Sequence, residues 1–74
     1  MFELYDVIKV SKDLEDDIKA GDIGTIVHIH DTNPPAYMIE LTDDEGRTIA
    51  TPTLQVEEMK LYWSAKTQDY VDDF

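Results

Sequence analysis

The chain has no cysteine, and only six of its 74 residues are basic. The first absence excludes disulfides and thiolate chemistry, whether nucleophilic or metal-binding. Small secreted domains commonly depend on disulfides, so an intracellular, cytoplasmic setting is expected. The second absence removes the lysine and arginine coat that neutralises phosphates, so no nucleic acid is expected among the partners. Glycine and proline number three each, too few glycines for a phosphate-cradling loop. No apolar run approaches the roughly 20 residues of a membrane span. Glu3 and Asp6 interrupt the opening stretch MFELYDVIKV and no basic region precedes it, so neither a signal peptide nor a membrane partner is expected.

What is present in excess is acid: 17 aspartates and glutamates, for a formal net charge of −11. The acids are spread over the chain, with eight in residues 1–37 and nine in residues 38–74, against three bases in each half. Two readings stay open. The charge keeps a solvated protein soluble and monomeric, or it steers the chain toward a basic partner, raising association rate more than affinity.

A chain of 74 residues makes one domain with a thin stability margin. Residues 2–10 suit a first strand, with Leu4, Ile8 and Val10 on one face. Residues 11–20, SKDLEDDIKA, read as a long loop folded over the core and anchored by Leu14 and Ile18, with a short helix capped by Ser11 as the alternative. Gly21 and Gly24 mark a bend, a bulge or a close approach at the start of the second strand. There, Ile23, Val27 and Ile29 are expected in the core, with Gly24, Ile26, His28 and His30 outside. Pro34 and Pro35 stiffen the loop that follows. Residues 37–42 alternate cleanly, with Tyr37, Ile39 and Leu41 inward. Asp43-Asp44-Glu45-Gly46 is a tight turn, residues 47–51 a returning strand, and residues 53–56 one helical turn. Residues 58–63 form a last strand with Met59 and Leu61 inward. Residues 64–74 show no alternation and read as an acidic tail, frayed or docked on a partner.

The expected fold is thus all-β: a small five-stranded SH3-like barrel over residues 1–63, with one short helical turn before the last strand, and a tail over residues 64–74. The segments GDIGTIV (residues 21–27), YMIEL (37–41), DDEGRTIA (43–50) and Thr53-Leu54 resemble a bacterial family catalogued as domain of unknown function four-nine-two-six. The resemblance covers about residues 4–62 and implies an SH3-like barrel, bacterial and cyanobacterial occurrence, and a setting beside toxin-like genes. It brings no catalytic residues. The chain departs from the family pattern at Pro34-Pro35, at Pro52 and after Trp63.

Chemistry has few places to reside. His28 and His30 share a strand face and could offer two nitrogens to a metal, but no third ligand is set by spacing, and solvent-facing histidines are the simpler reading. The acidic turn lacks the spacing of a calcium loop. No nucleophile stands at a suggestive spacing from a histidine, and no cofactor is expected, so the chain reads as non-catalytic. The candidate partner-binding residues are the loop acids Asp13, Glu15, Asp16 and Asp17, the turn acids Asp43, Asp44 and Glu45, and Trp63, Tyr70, Asp72, Asp73 and Phe74 at the C-terminal end. Two functions fit: an interaction module such as an immunity or antitoxin protein neutralising a basic toxin enzyme, or an accessory or structural subunit of a larger enzyme or redox complex. Monomer and dimer both remain open.

Overall fold

A computed structural model of the chain describes residues 2–15 and 17–71. It is all-β, as expected: β1 (Val7–Val10), β2 (Ile23–His30), β3 (Ala36–Thr42), β4 (Thr48–Ala50), β5 (Thr53–Leu54), a 3-10 turn (Val56–Glu58), β6 (Met59–Ser64) and β7 (Asp69–Tyr70). One antiparallel sheet runs in the order β4-β3-β2-β1-β6-β7, with β5 also paired to β3. The two ends of this path, β4 and β7, do not pair with each other among the described residues, so the sheet curls over its core without closing into a ring.

Among the described residues there are seven strands rather than the expected five. Thr53 and Leu54, expected in a helical turn, instead pair with Met38 and Tyr37, and the single 3-10 turn begins just after them. Pro52 has no N–H to donate, but its carbonyl accepts from Ile39 at 2.9 Å and carries the chain back onto β3. Beyond the strand expected to be last, β7 returns along β6, with Tyr70 opposite Trp63 and Asp69 opposite Ser64.

The clearest alternation in the sequence builds the centre. Tyr37, Ile39 and Leu41 are all buried, and with Ile8, Val10, Ile18, Ile26, Leu54 and Met59 they form one apolar cluster. None of the described residues in the loop 11–20 is helical. Glu15 and Ile18 form an isolated antiparallel bridge, which turns Ile18 into the core while Leu14 packs against it.

In β2 the expected facing is only partly right. Ile29 packs against the core, but Ile26 is fully buried and Ile23 is 37% exposed, with Val27 half-buried. The cause is a bulge: Ile26 pairs with Ile39, His28 with Met38, and the register shifts between them. An inserted residue reverses which parity faces inward, so Ile26 and Ile29, three apart, both reach the core. Gly24 also faces inward. A Cβ there would collide with the side chains of Ile39 and Leu41, so this glycine serves close packing, whereas Gly21 (φ +95°) serves a left-handed turn.

The expected first strand starts late. Asp6 is 1% exposed, and the backbone N–H groups of Glu3 and Ala65 both donate to its carboxylate, each at 2.8 Å. Its own carbonyl accepts from Ile26 at 2.9 Å. Holding the acid inward folds the preceding residues into a turn, leaves Leu4 exposed and puts Tyr5 at φ 71°. A bulky side chain rarely adopts that conformation.

Two stability predictions follow from this packing. Ile39→Ala should lose about 2–5 kcal/mol in chemical denaturation, whereas Ile49→Ala, at a position 51% exposed, should stay within about 0.5 kcal/mol of the parent. Equal losses would place the core elsewhere. Asp6→Ala leaves the partly buried N–H groups of Glu3 and Ala65 without their acceptor and should cost about 1–3 kcal/mol; an unchanged denaturation midpoint would show that the clamp is dispensable.

Candidate functional site

The turn between β3 and β4 is made by its first acid. Asp43 Oδ1 accepts from the backbone N–H groups of Glu45 and Arg47, both at 2.9 Å, while Oδ2 accepts from Arg47 Nε at 3.0 Å. Gly46 takes φ +83°, which lets the chain reverse. Donation from the Arg47 backbone N–H, joined by those of Glu45 and the guanidinium, holds the Asp43 carboxyl below its ordinary 3.8. The Arg47 guanidinium also pairs with Glu45 at 3.2 Å, an exposed contact of small energetic weight. Asp43 is therefore first a structural residue, and Glu45 is partly neutralised.

The same turn walls a concavity. A cavity of about 390 Å³ lies between the start of β2 and the end of β3, lined by residues 21–25 and by Thr42, Asp43 and Asp44. Three carboxylates (Asp22, Asp43 and Asp44) and no base line it. Asp22 escaped the sequence reading because it lies about twenty positions from the turn it meets. Asp22 accepts from the N–H of Lys19 at 2.9 Å, which fixes the strand entry.

The remaining candidates divide by location. Asp13 accepts from the Ala20 N–H at 2.9 Å and closes the acidic loop next to Gly21. Glu15 and Asp17 are exposed on that loop. Asp16, Asp72, Asp73 and Phe74 lie outside the described residues. Trp63 and Tyr70 are cross-strand partners, and Tyr62, which the sequence reading did not single out, meets the Tyr70 ring edge-on at 5.3 Å. The structure thus gathers Asp43 and Asp44 of the turn, but not Glu45, with Asp22 at one place and the aromatics at another. His28 and His30 have ring centres 4.7 Å apart, and among the described residues no three histidine, cysteine or acidic side chains converge on a metal position. No helix among the described residues is long and apolar enough to cross a membrane.

A small all-β domain with a carboxylate-lined concavity on a strongly acidic chain is the class these observations define. Within that class, the chain belongs to the family described as a domain of unknown function (DUF4926), whose profile matches residues 4–61. No curated protein and no solved structure matches it.

The Asp43 carboxylate is favoured in the folded state, so its stabilisation is complete above the ordinary value of 3.8 and is lost as pH falls through the lower native value. Asp43→Asn should therefore melt below the parent by a constant margin at neutral pH, and the margin should shrink below about pH 4. A margin unchanged down to pH 3 would remove the ionised carboxylate from the turn's stability.

Proposed function

We propose that this chain is a non-catalytic, acidic protein-binding module of the bacterial cytoplasm whose partner is basic. Its most specific form is an immunity or antitoxin protein that neutralises a basic toxin enzyme. The observation that carries this reading is the convergence of Asp22, Asp43 and Asp44, from two distant segments, around one concavity with no lysine or arginine in its lining. A basic side chain entering that concavity meets carboxylates from two walls. The loop closed by Asp13 adds Glu15 and Asp17 on the strand-entry side. Carboxylates arranged in this way compete for a groove built to hold phosphate. The net charge of −11 supplies long-range attraction, which acts on the association rate.

A second reading, accessory or structural subunit of a larger enzyme or redox complex, draws on Tyr62, Trp63 and Tyr70, which present aromatic surface on the sheet. Aromatic residues carry much of the energy of permanent interfaces. Salt separates the two readings. The screening length falls from about 10 Å at 0.1 M to about 3 Å at 1 M. With a basic protein captured from the native host, association should slow at least tenfold over that range. Asp44→Lys, a substitution outside the hydrogen bonds that close the turn, should slow it similarly at low salt. Association indifferent to both salt and Asp44→Lys would favour the subunit reading.

A further inference from the structure

Past the bulge in β2 the ladder to β3 is regular: His28 stands opposite Met38, Ile29 opposite Tyr37 and His30 opposite Ala36. Tyr37 is buried and Ile29 packs on the core, so the middle pair faces inward. The pairs on either side therefore face outward, because side chains alternate along a strand and directly paired residues share a face. His28 is exposed, and His30 and Met38 are half-buried. Two imidazoles and a thioether thus meet on one small patch of the sheet. The ring centres of His28 and His30 lie 4.7 Å apart. Apart from that mutual contact, neither ring makes a hydrogen bond or an ion pair with another described residue.

We propose that this patch binds a copper(I) ion, held by one ring nitrogen each from His28 and His30 and by the Met38 sulfur. The chemistry of the donors selects the metal. Thioether sulfur is a soft ligand that suits copper(I), and imidazole suits copper as well as zinc. Calcium and magnesium require oxygen ligands, and among the described residues no third histidine, cysteine or carboxylate converges on the pair to complete a zinc set. A closed-shell d10 ion has no geometric preference from its d electrons, so ligands spread over a sheet face can serve it. The spacing also fits. Metal–nitrogen bonds of about 2.0–2.1 Å put the ring centres of two imidazoles on one ion about 4.5–5.5 Å apart, and the 4.7 Å observed falls in that range. Chelation then needs the rings to turn and not the strand to move. Met38 is within reach, because directly opposed residues have Cβ atoms about 4.5–5.5 Å apart and its unbranched side chain adapts its path. Its neighbour on the other side is Thr53 of β5. The carboxylate of β3, Glu40, accepts from the Thr48 hydroxyl at 2.7 Å. The three ligands stand at the opposite end of β2 from the Asp22–Asp44 concavity, so the inference is independent of the basic-partner reading.

The test is an anaerobic titration of the intact chain with copper(I) in competition with the chromogenic chelator bicinchoninate. The chain should withdraw a single equivalent of copper(I). As it loads, the Met38 methyl and both imidazole resonances should shift, while the methyl of the buried Met59 stays in place. His28→Gln and His30→Gln should each weaken copper(I) binding about tenfold or more. Met38→Leu conserves side-chain volume. It should weaken copper(I) binding by a similar factor and leave the weaker binding of zinc(II) unchanged, a split that loss of structure does not produce. Glu40→Gln should leave copper(I) affinity at the parent value. No copper withdrawn from the chelator, an affinity that Met38→Leu leaves intact, binding retained by His28→Gln and His30→Gln, or zinc(II) held as tightly as copper(I), would overturn the proposal.

Discussion

The fold turns on one buried carboxylate. Asp6 stands at the entry to β1 and accepts from the N–H of Glu3 just before it and from the N–H of Ala65, 59 positions after it. A buried charge is tolerated only when hydrogen bonds replace its lost hydration. Those donors are supplied by chain segments from the two ends of the domain, so the acid is satisfied only when both ends are in place. Its backbone carbonyl receives Ile26, which ties the same residue to the bulged part of β2. The cost is local: the turn before Asp6 leaves Tyr5 exposed in a left-handed conformation.

Bulges do the rest of the shaping. A regular strand has one inner and one outer face throughout, and a sheet this small would not wrap its core. The shift after Ile26 lets one strand supply Gly24 and Ile26 and then Ile29 to the same interior. The shift opposite Val7 puts Tyr62 beside Lys9 and gathers the aromatic surface on the other side of the sheet. Core and outer face therefore both follow from where a single extra residue is inserted.

The acidic charge is not one undivided surface. Asp6 clamps the ends, Asp13 and Asp22 close the strand-entry loop, and Asp43 builds the hairpin turn. These acids were chosen by backbone N–H groups before any partner arrives. Asp44, Glu15 and Asp17 remain turned to solvent. Among the described residues the molecule carries two chemically distinct features, a carboxylate-lined concavity and an aromatic cluster of Tyr62, Trp63 and Tyr70.

Several features were legible in residue order. The alternation of Tyr37, Ile39 and Leu41 is a local pattern, and it set the central strand. Turn chemistry set the Asp43 to Gly46 reversal, and Leu14 and Ile18, apolar residues in an acidic stretch, set the anchoring of the long loop. The all-β class and the family membership follow from the same segments. What only the tertiary structure decided was non-local. Whether Ile23 or Ile26 faces the core depends on a bulge, and a bulge is a relation between two strands that no single strand's periodicity contains. Thr53 and Leu54 became a strand because β3 offered them backbone partners. Asp6 read as a charge interrupting an apolar stretch until Ala65 came to meet it. Asp22 joined Asp44, and Tyr62 joined Tyr70, because the folded chain brings distant positions together, which is also why the candidate sites could be seen only in three dimensions.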